Sequence, residues 1–342
     1  MDIFTCYLNA WLYFYQVINL VTSVHREVYL DPFIRFIIGL ANITIDGPFA
    51  SCLWKGMDNL TKLAFSYVLP VYVFLVVFVI GLVARKYPDS YFAKNSTFRA
   101  SCTLFVLCYS ALTGVSMEIL RPSKIGNSIV VFHQGTVKYF SDYHTYFAVP
   151  AILILLFVVV PFPFILMFTP FFSKHVRFVI YATPLFNTFQ ACFKDGYRWF
   201  AAFYFFCRFF FLLFATFVPY GRAKASIIQV ACVFVLSIHV YLCPYLPQYD
   251  WINKLDSLLL ITLTAISIIA GQMTRHVLEN ERDVMMIIID VLAYIPLVYT
   301  VALGFYLLYK WVKTKLHHAN QAAGFENFNS EDEDDSETVK VI

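Results

Sequence analysis

The sequence predicts an all-α fold: a polytopic transmembrane helix bundle of about seven spans, with its N-terminus outside and its C-terminus cytosolic. Three observations carry that reading. Hydrophobic residues make up 60% of the chain and charged residues 14%, against about 25% charged in soluble domains. The apolar residues come in runs of roughly 20, the length that crosses ~30 Å of hydrocarbon. Lys and Arg are split unevenly between the segments joining those runs, and the richer side is cytosolic.

Seven runs meet the length and polarity of a span, at residues 63–84, 99–119, 146–169, 199–219, 225–243, 256–273 and 285–309. They divide the chain into an N-terminal extracellular or interfacial segment with short amphipathic helices (1–62), the bundle (63–309) and a C-terminal segment (310–342). Within the first segment, residues 3–20 are rich in Tyr and Trp and broken by Asn9, Gln16 and Asn19. That pattern reads as a helix lying in the membrane interface. Residues 33–43 are apolar but too short to cross, and they contain Arg35. Pro70, Pro161, Pro163 and Pro296 fall inside spans, where a missing N–H and a ring clash kink the helix.

The C-terminal segment opens basic, with Lys310, Lys313 and Lys315, and ends in the acidic run Ser330 to Glu337. Its first part suits the anionic inner leaflet. The acidic part has nothing to bury and is expected to be a disordered cytosolic tail open to cytosolic partners.

Orientation follows from twelve Lys and Arg in the inner segments, Arg85 to Lys315, against seven in the three outer loops, Arg121 to Arg282; the N-terminal segment adds Arg26, Arg35, Lys55 and Lys62 to the outside, so the bias is modest. Asn42 and Asn59, each in an N-x-Thr sequon, then lie outside as candidate glycosylation sites, while the Asn95 sequon lies inside and silent. The partners implied are the lipid bilayer, of the plasma membrane or another secretory-pathway membrane, and further copies of the chain in a homo-oligomer.

Several function classes drop out. A net charge of +3 with no basic–aromatic stripe gives no footprint for nucleic acid. The eight cysteines are scattered, with neither a C-x-x-C pair nor a metal-ligand spacing. Cys6 and Cys52 are candidates for a disulfide on the outer face. No nucleophile–base pair, phosphate loop or paired-carboxylate motif occurs, so the chain does not read as an enzyme, and no catalytic residue, cofactor or metal is expected.

What remains is charge within the spans. Arg208 sits mid-span in Phe205-Phe206-Cys207-Arg208-Phe209-Phe210-Phe211, too deep to snorkel. An Arg there costs about 3 kcal/mol or more, so it should face the bundle interior and find a partner. Matched depth makes Asp290 the first choice and Tyr109 the second. Glu118, Asp256 and His239 complete the candidate intramembrane polar site. The plainer reading makes His239 a hydrogen-bonded packing residue, and Asn253 and Asp256 the caps of span six.

The block Pro184-Leu185-Phe186-Asn187-Thr188-Phe189-Gln190-Ala191-Cys192-Phe193-Lys194-Asp195-Gly196-Tyr197-Arg198-Trp199-Phe200, running on through Ala201 to Phe205 and Arg208, resembles a known family. It is similar to the TRP-like C-terminal membrane domain of large invertebrate surface proteins, and to the fungal flavin-carrier and polycystin-like TRP proteins. Cys52-Leu53-Trp54-Lys55-Gly56-Met57-Asp58, Leu69-Pro70-Val71-Tyr72 and Asn253-Lys254-Leu255-Asp256 match in order. The resemblance spans about residues 42–309 and implies ion or small-molecule transport, or sensing at the cell surface. A seven-helix receptor is the competing reading, but span three is not followed by Asp/Glu-Arg-Tyr and span seven lacks Asn-Pro-x-x-Tyr. A membrane anchor without activity of its own is the third.

Overall fold

The computed structural model describes residues 3–23, 30–42, 56–86, 96–169, 189–273 and 279–334. In chain order the helices are α1 (Ile3–Thr22), α2 (Pro32–Asn42), α3 (Asn59–Phe65), α4 (Val68–Lys86) and α5 (Ser96–Ile119). Strands β1 (Pro122–Ile125), β2 (Ser128–Val131) and β3 (Gln134–Lys138) follow. Then come α6 (Asp142–Ile154), α7 (Pro161–Met167), α8 (Phe200–Phe217), α9 (Arg222–Leu242), α10 (Asp250–Gln272) and α11 (Glu279–Asp334).

Among the described residues, six helical stretches are long and apolar enough to cross a membrane: Asn59–Val83, Asp142–Met167, Asp195–Phe217, Arg222–Leu242, Pro247–Gln272 and Glu279–Tyr306. These match six of the seven expected runs. The other run is α5, whose described apolar part, Leu104–Ile119, falls short of that length. Outward faces are apolar: Phe157, Val230 and Tyr241 are largely exposed, which suits hydrocarbon rather than water.

The chain divides into two compact units, Met1–Leu292 and Ala293–Ile342. The second is helical to Asp334, which takes in Ser330 to Asp334 of the acidic run expected to be disordered. Ala319, Gln321, Ala322, Ala323 and Glu326 are good helix formers. Residues 335–342 lie outside the description.

The first unit corrects the reading of the N-terminus. α1 does not lie at the periphery. It packs against α10, α2, α8 and α5, and Tyr13, Phe14, Tyr15, Val17, Ile18 and Val21 are all buried. The contacts Tyr7–Trp251, Tyr13–Tyr204 and Gln16–Arg208 run in register, so α1 is parallel to α8 and α10. At 20 residues it spans about 30 Å. Asn9, Gln16 and Asn19 lower its hydropathy, which is why it reads as interfacial.

α2 starts beside α11, where the Asp31 N–H donates to Asp290 Oδ1 (3.0 Å). It ends halfway down the bundle. There Gln16 Nε2 donates to Ala41 O (3.0 Å), and Asn42 Nδ2 donates to Ile38 O (2.9 Å) and Tyr15 O (3.3 Å). The last carbonyls of a helix have no partner within it, and Gln16 supplies one for Ala41 O. By Asp58 the chain is back at the first end, where the Tyr143 hydroxyl donates to Asp58 Oδ2 (2.5 Å). Asp31 and Asp58 therefore lie at the same end of the bundle.

That end also carries a three-stranded antiparallel sheet, order β1-β2-β3, inside an otherwise helical chain. Its first turn is Gly126-Asn127, between the paired residues Ile125 and Ser128, with Gly126 at φ +59°. A two-residue loop with Gly first and φ positive suits the twist of a hairpin. Opposite the sheet, Cys192, Phe193 and Lys194 pair with the loop after α9: Lys194 N donates to Pro244 O and Leu246 N to Cys192 O.

The kink between α6 and α7 has a specific cause. A π-turn over Leu155–Val159 precedes Pro161. Pro163 has no N–H to give Val159 O, and the Tyr109 hydroxyl donates to that oxygen instead (3.2 Å). Tyr109 therefore repairs a proline break rather than pairing with Arg208.

Candidate functional site: a buried polar core

α8 places Tyr204 and Arg208 one helical turn apart on its buried face, the spacing that stacks side chains on one side of a helix. Arg208 is 3% exposed. Its Nε donates to Gln16 Oε1 at 2.6 Å, and the Gln16 amide donates to Ala41 O and to Val106 O (3.2 Å). One glutamine thus joins α1, α2, α5 and α8, with every hydrogen-bonding atom of its amide used. The guanidinium also lies 5.0 Å from the Tyr13 ring centre and 5.3 Å from that of Phe205, within cation–π range.

The expected Arg208–Asp290 pair is not formed. Asp290 Oδ1 accepts from Asp31 at the sheet end, and among the described residues no carboxylate forms an ion pair with Arg208. Glu118 is not a partner either. It accepts from His133 Nε2 (2.7 Å) and Arg121 Nη1 (3.3 Å), while Arg121 stacks 3.6 Å from the Phe132 ring centre. Glu118 therefore ties the sheet to the end of α5.

The second half of the core lies one turn along α8. Tyr204 donates to Asp256 Oδ2 (2.6 Å), and the Tyr245 hydroxyl donates to the same oxygen (2.9 Å). His239 Nδ1 lies 3.2 Å from Tyr204 Oη, and its Nε2 lies 3.3 Å from the Asn253 carbonyl oxygen. His239 and Asp256 are both fully buried. Asp256 is not a helix cap, because α10 already begins at Asp250. Asn253 does not cap it either, since its Oδ1 accepts the Tyr245 N–H (3.2 Å). Tyr204, Tyr245, Gln16 and Tyr13 were not singled out from the sequence. Only the Tyr204–Arg208 spacing, four residues beside a mid-span charge, could have signalled one of them.

The block that carries the family resemblance builds much of this. Its Cys192–Lys194 strip pins the loop that brings Tyr245 to Asp256, and it runs on into Tyr204 and Arg208 on α8. Cys192 is itself buried and disulfide-bonded, while Cys108, Cys207, Cys232 and Cys243 are free. Of the expected Cys6–Cys52 pair, Cys52 lies outside the described residues, and so does the Cys6 side chain.

Lys224, also unforeseen, is buried at the sheet end. It donates to Ala215 O (2.7 Å) in the last turn of α8 and sits 4.4 Å from the Tyr220 ring centre, a cation against the negative end of a helix. Asp58 caps α3 by accepting from the Thr61 N–H. Partial burial pushes its carboxyl up, but the bonds from Thr61 and Tyr143 outweigh that and hold it below the usual carboxylate range.

Three hollows bear on what the core can do. A cavity of about 20 Å³ is lined by Asn9, Tyr204, Arg208 and Tyr245 among others, room for about one water. A groove of about 810 Å³ between α7, α8 and α9, lined by Phe206, Phe210, Phe214 and Phe234 among others, is apolar and suits hydrocarbon. A shallow depression at the sheet end is lined by Asp58, Gln134, Lys138 and Tyr143 among others. Among the described residues no group of three His, Cys, Asp or Glu could hold a metal ion. The polar core itself presents the hydrogen-bonding and ionisable side chains of Arg208, His239 and Asp256. No family model matches the chain, and no curated protein or solved structure is significantly similar to it.

Proposed function

We propose that this multi-spanning membrane protein passes an ion or a small polar solute through its buried polar core. The observation that supports this most directly is the convergence of Arg208, Gln16, His239 and Asp256 inside a bundle with apolar outer faces. Ionisable groups are costly at that depth, and in membrane bundles they mark ion pathways and proton relays. Membership of the TRP-like membrane domains belongs to the same reading, since the resembling block supplies Tyr204 and Arg208. Proteoliposomes are expected to show cation or proton uptake above protein-free vesicles, and Arg208→Ala at equal folded protein is expected to abolish it. Wild-type vesicles no leakier than empty ones would end the transport reading.

Sidedness follows from the Lys/Arg excess near Lys194 and Arg198, which we read as cytosolic. The sheet then faces outward and the C-terminal tail inward. Because α1 is parallel to α8, the N-terminus joins the cytosolic side, whereas the sequence places it outside; the sidedness of the rest of the bundle is unchanged. Glycosylation at Asn42 is disfavoured, since its amide is bonded to the Tyr15 and Ile38 carbonyls. Asn59 stays exposed, with its Nδ2 on His133 O; the Asn95 sequon begins outside the described residues. The Cys192 disulfide favours the opposite sidedness, because such bonds persist in oxidising compartments. Ile129→Thr decides between them. It completes a sequon with Asn127 at the hairpin tip, where Ile129 is exposed. An endoglycosidase-sensitive mass shift is expected; its absence, with a glycan instead on a sequon placed at Lys194, would invert the topology.

A further inference from the structure

We propose that His239 and Asp256 hold one proton between them, with the Tyr204 hydroxyl as the relay, so that this half of the core is a proton-binding site. The inference rests on the pathway reading above and adds the species handled there.

A count of hydrogens carries it. The Asn253 carbonyl oxygen can only accept, so its 3.3 Å contact puts a hydrogen on His239 Nε2. Tyr204 Oη lies 2.6 Å from Asp256 Oδ2 and 3.2 Å from His239 Nδ1, with one hydrogen to give. Tyr245 already donates its own hydrogen to Oδ2. If the imidazole is neutral and the carboxylate ionised, the Tyr204 hydrogen can serve only one neighbour. The other contact then sets lone pair against lone pair between fully buried groups, and the pair carries a net charge of −1.

One more hydrogen removes both defects. Placed on Nδ1, it is donated to Tyr204 Oη, and an imidazolium faces the Asp256 carboxylate at 3.6 Å. Placed on Oδ2, it is donated to Tyr204 Oη, whose own hydrogen turns to Nδ1. The two forms interconvert by shifting hydrogens along Oδ2···Oη···Nδ1, and both are neutral overall. A second observation points the same way: among the described residues Asp256 Oδ1 is buried without a hydrogen-bond partner, a poor setting for uncompensated negative charge.

Among the described residues, the other titratable groups around the pair supply no second cation in contact with it. Tyr13 comes from α1, with its ring 4.8 Å from that of Tyr204. Tyr204, Cys207 and Arg208 come from α8, Cys232 from α9 and Tyr245 from the loop before α10. Arg208 is occupied by Gln16. The one-water cavity beside Tyr204 and Tyr245 offers the proton a way in through either hydroxyl.

The test is magnetic resonance on the full chain in bilayers, labelled with ¹⁵N-histidine and ¹³C-carboxyl aspartate. Signals are assigned by difference from His239→Gln and Asp256→Asn, or from Tyr204→Phe alone if those variants do not accumulate. At neutral pH the expected pair is imidazolium with carboxylate, or neutral ring with protonated carboxyl. Tyr204→Phe is expected to shift the His239 Nδ1 signal and leave the remaining histidines unmoved. A neutral ring beside an ionised carboxylate in the wild type overturns the proposal. Dissipation of an imposed pH gradient in proteoliposomes, abolished by Asp256→Asn, is the parallel readout. A shared proton without any flux leaves the proton site standing and ends the transport reading. Cation flux without a shared proton does the reverse.

Discussion

Gln16→Leu is expected to cost about 3–5 kcal/mol of stability, the penalty for leaving a buried charge without its partner. Leu keeps most of the side-chain volume but removes the acceptor of Arg208 Nε and both donors to the Ala41 and Val106 carbonyls. Arg208→Met removes the charge itself and strands only the Gln16 carbonyl oxygen, a smaller loss of about 1–3 kcal/mol. The double variant leaves neither partner, so it should recover part of the Gln16→Leu loss. A double-mutant cycle on unfolding in detergent measures this coupling. Asp290→Ala combined with Arg208→Met should be additive, because Asp290 bonds Asp31 at the sheet end. Additivity between Gln16 and Arg208, or coupling between Arg208 and Asp290, would show that the hub is misassigned.

Deleting residues 1–23 is expected to have the largest effect of all: loss of the folded bundle. α1 is surrounded by α2, α5, α8 and α10, so its removal opens a helix-wide void among them. In a bilayer, helices associate through packing and interhelical hydrogen bonds rather than hydrophobic burial, and lipid cannot restore the bonds Gln16 makes. Arg208 would lose its Gln16 acceptor, and Tyr204 the Tyr13 ring against it. The truncated chain should aggregate on size-exclusion in detergent and be cleaved rapidly by protease. A monodisperse truncated protein that melts like the full chain would return α1 to the periphery, where its sequence alone would put it.

The apolar runs and their approximate ends were legible without a structure, because hydropathy belongs to each segment by itself and the bilayer demands about 20 such residues in a row. The burial of Arg208 was legible for the same reason: a mid-span guanidinium has few places to go. Even the hairpin was written in Gly126-Asn127, a turn signal that the surrounding apolar runs overshadowed.

Tertiary structure alone decided the pairings. Gln16, Asn9 and Asn19 look like interruptions when α1 is scored as a segment, and Gln16 becomes the keystone only once α8 sets Arg208 opposite it. Asp256 looks like a helix cap until α10 begins at Asp250 and turns it toward His239, Tyr204 and Tyr245. Tyr109 is one of 23 tyrosines until Pro163, fifty-four positions later, frees the carbonyl it repairs. A hydrogen-bond partner is a property of two residues brought together by a fold, and a residue's own sequence neighbourhood carries no record of what will face it.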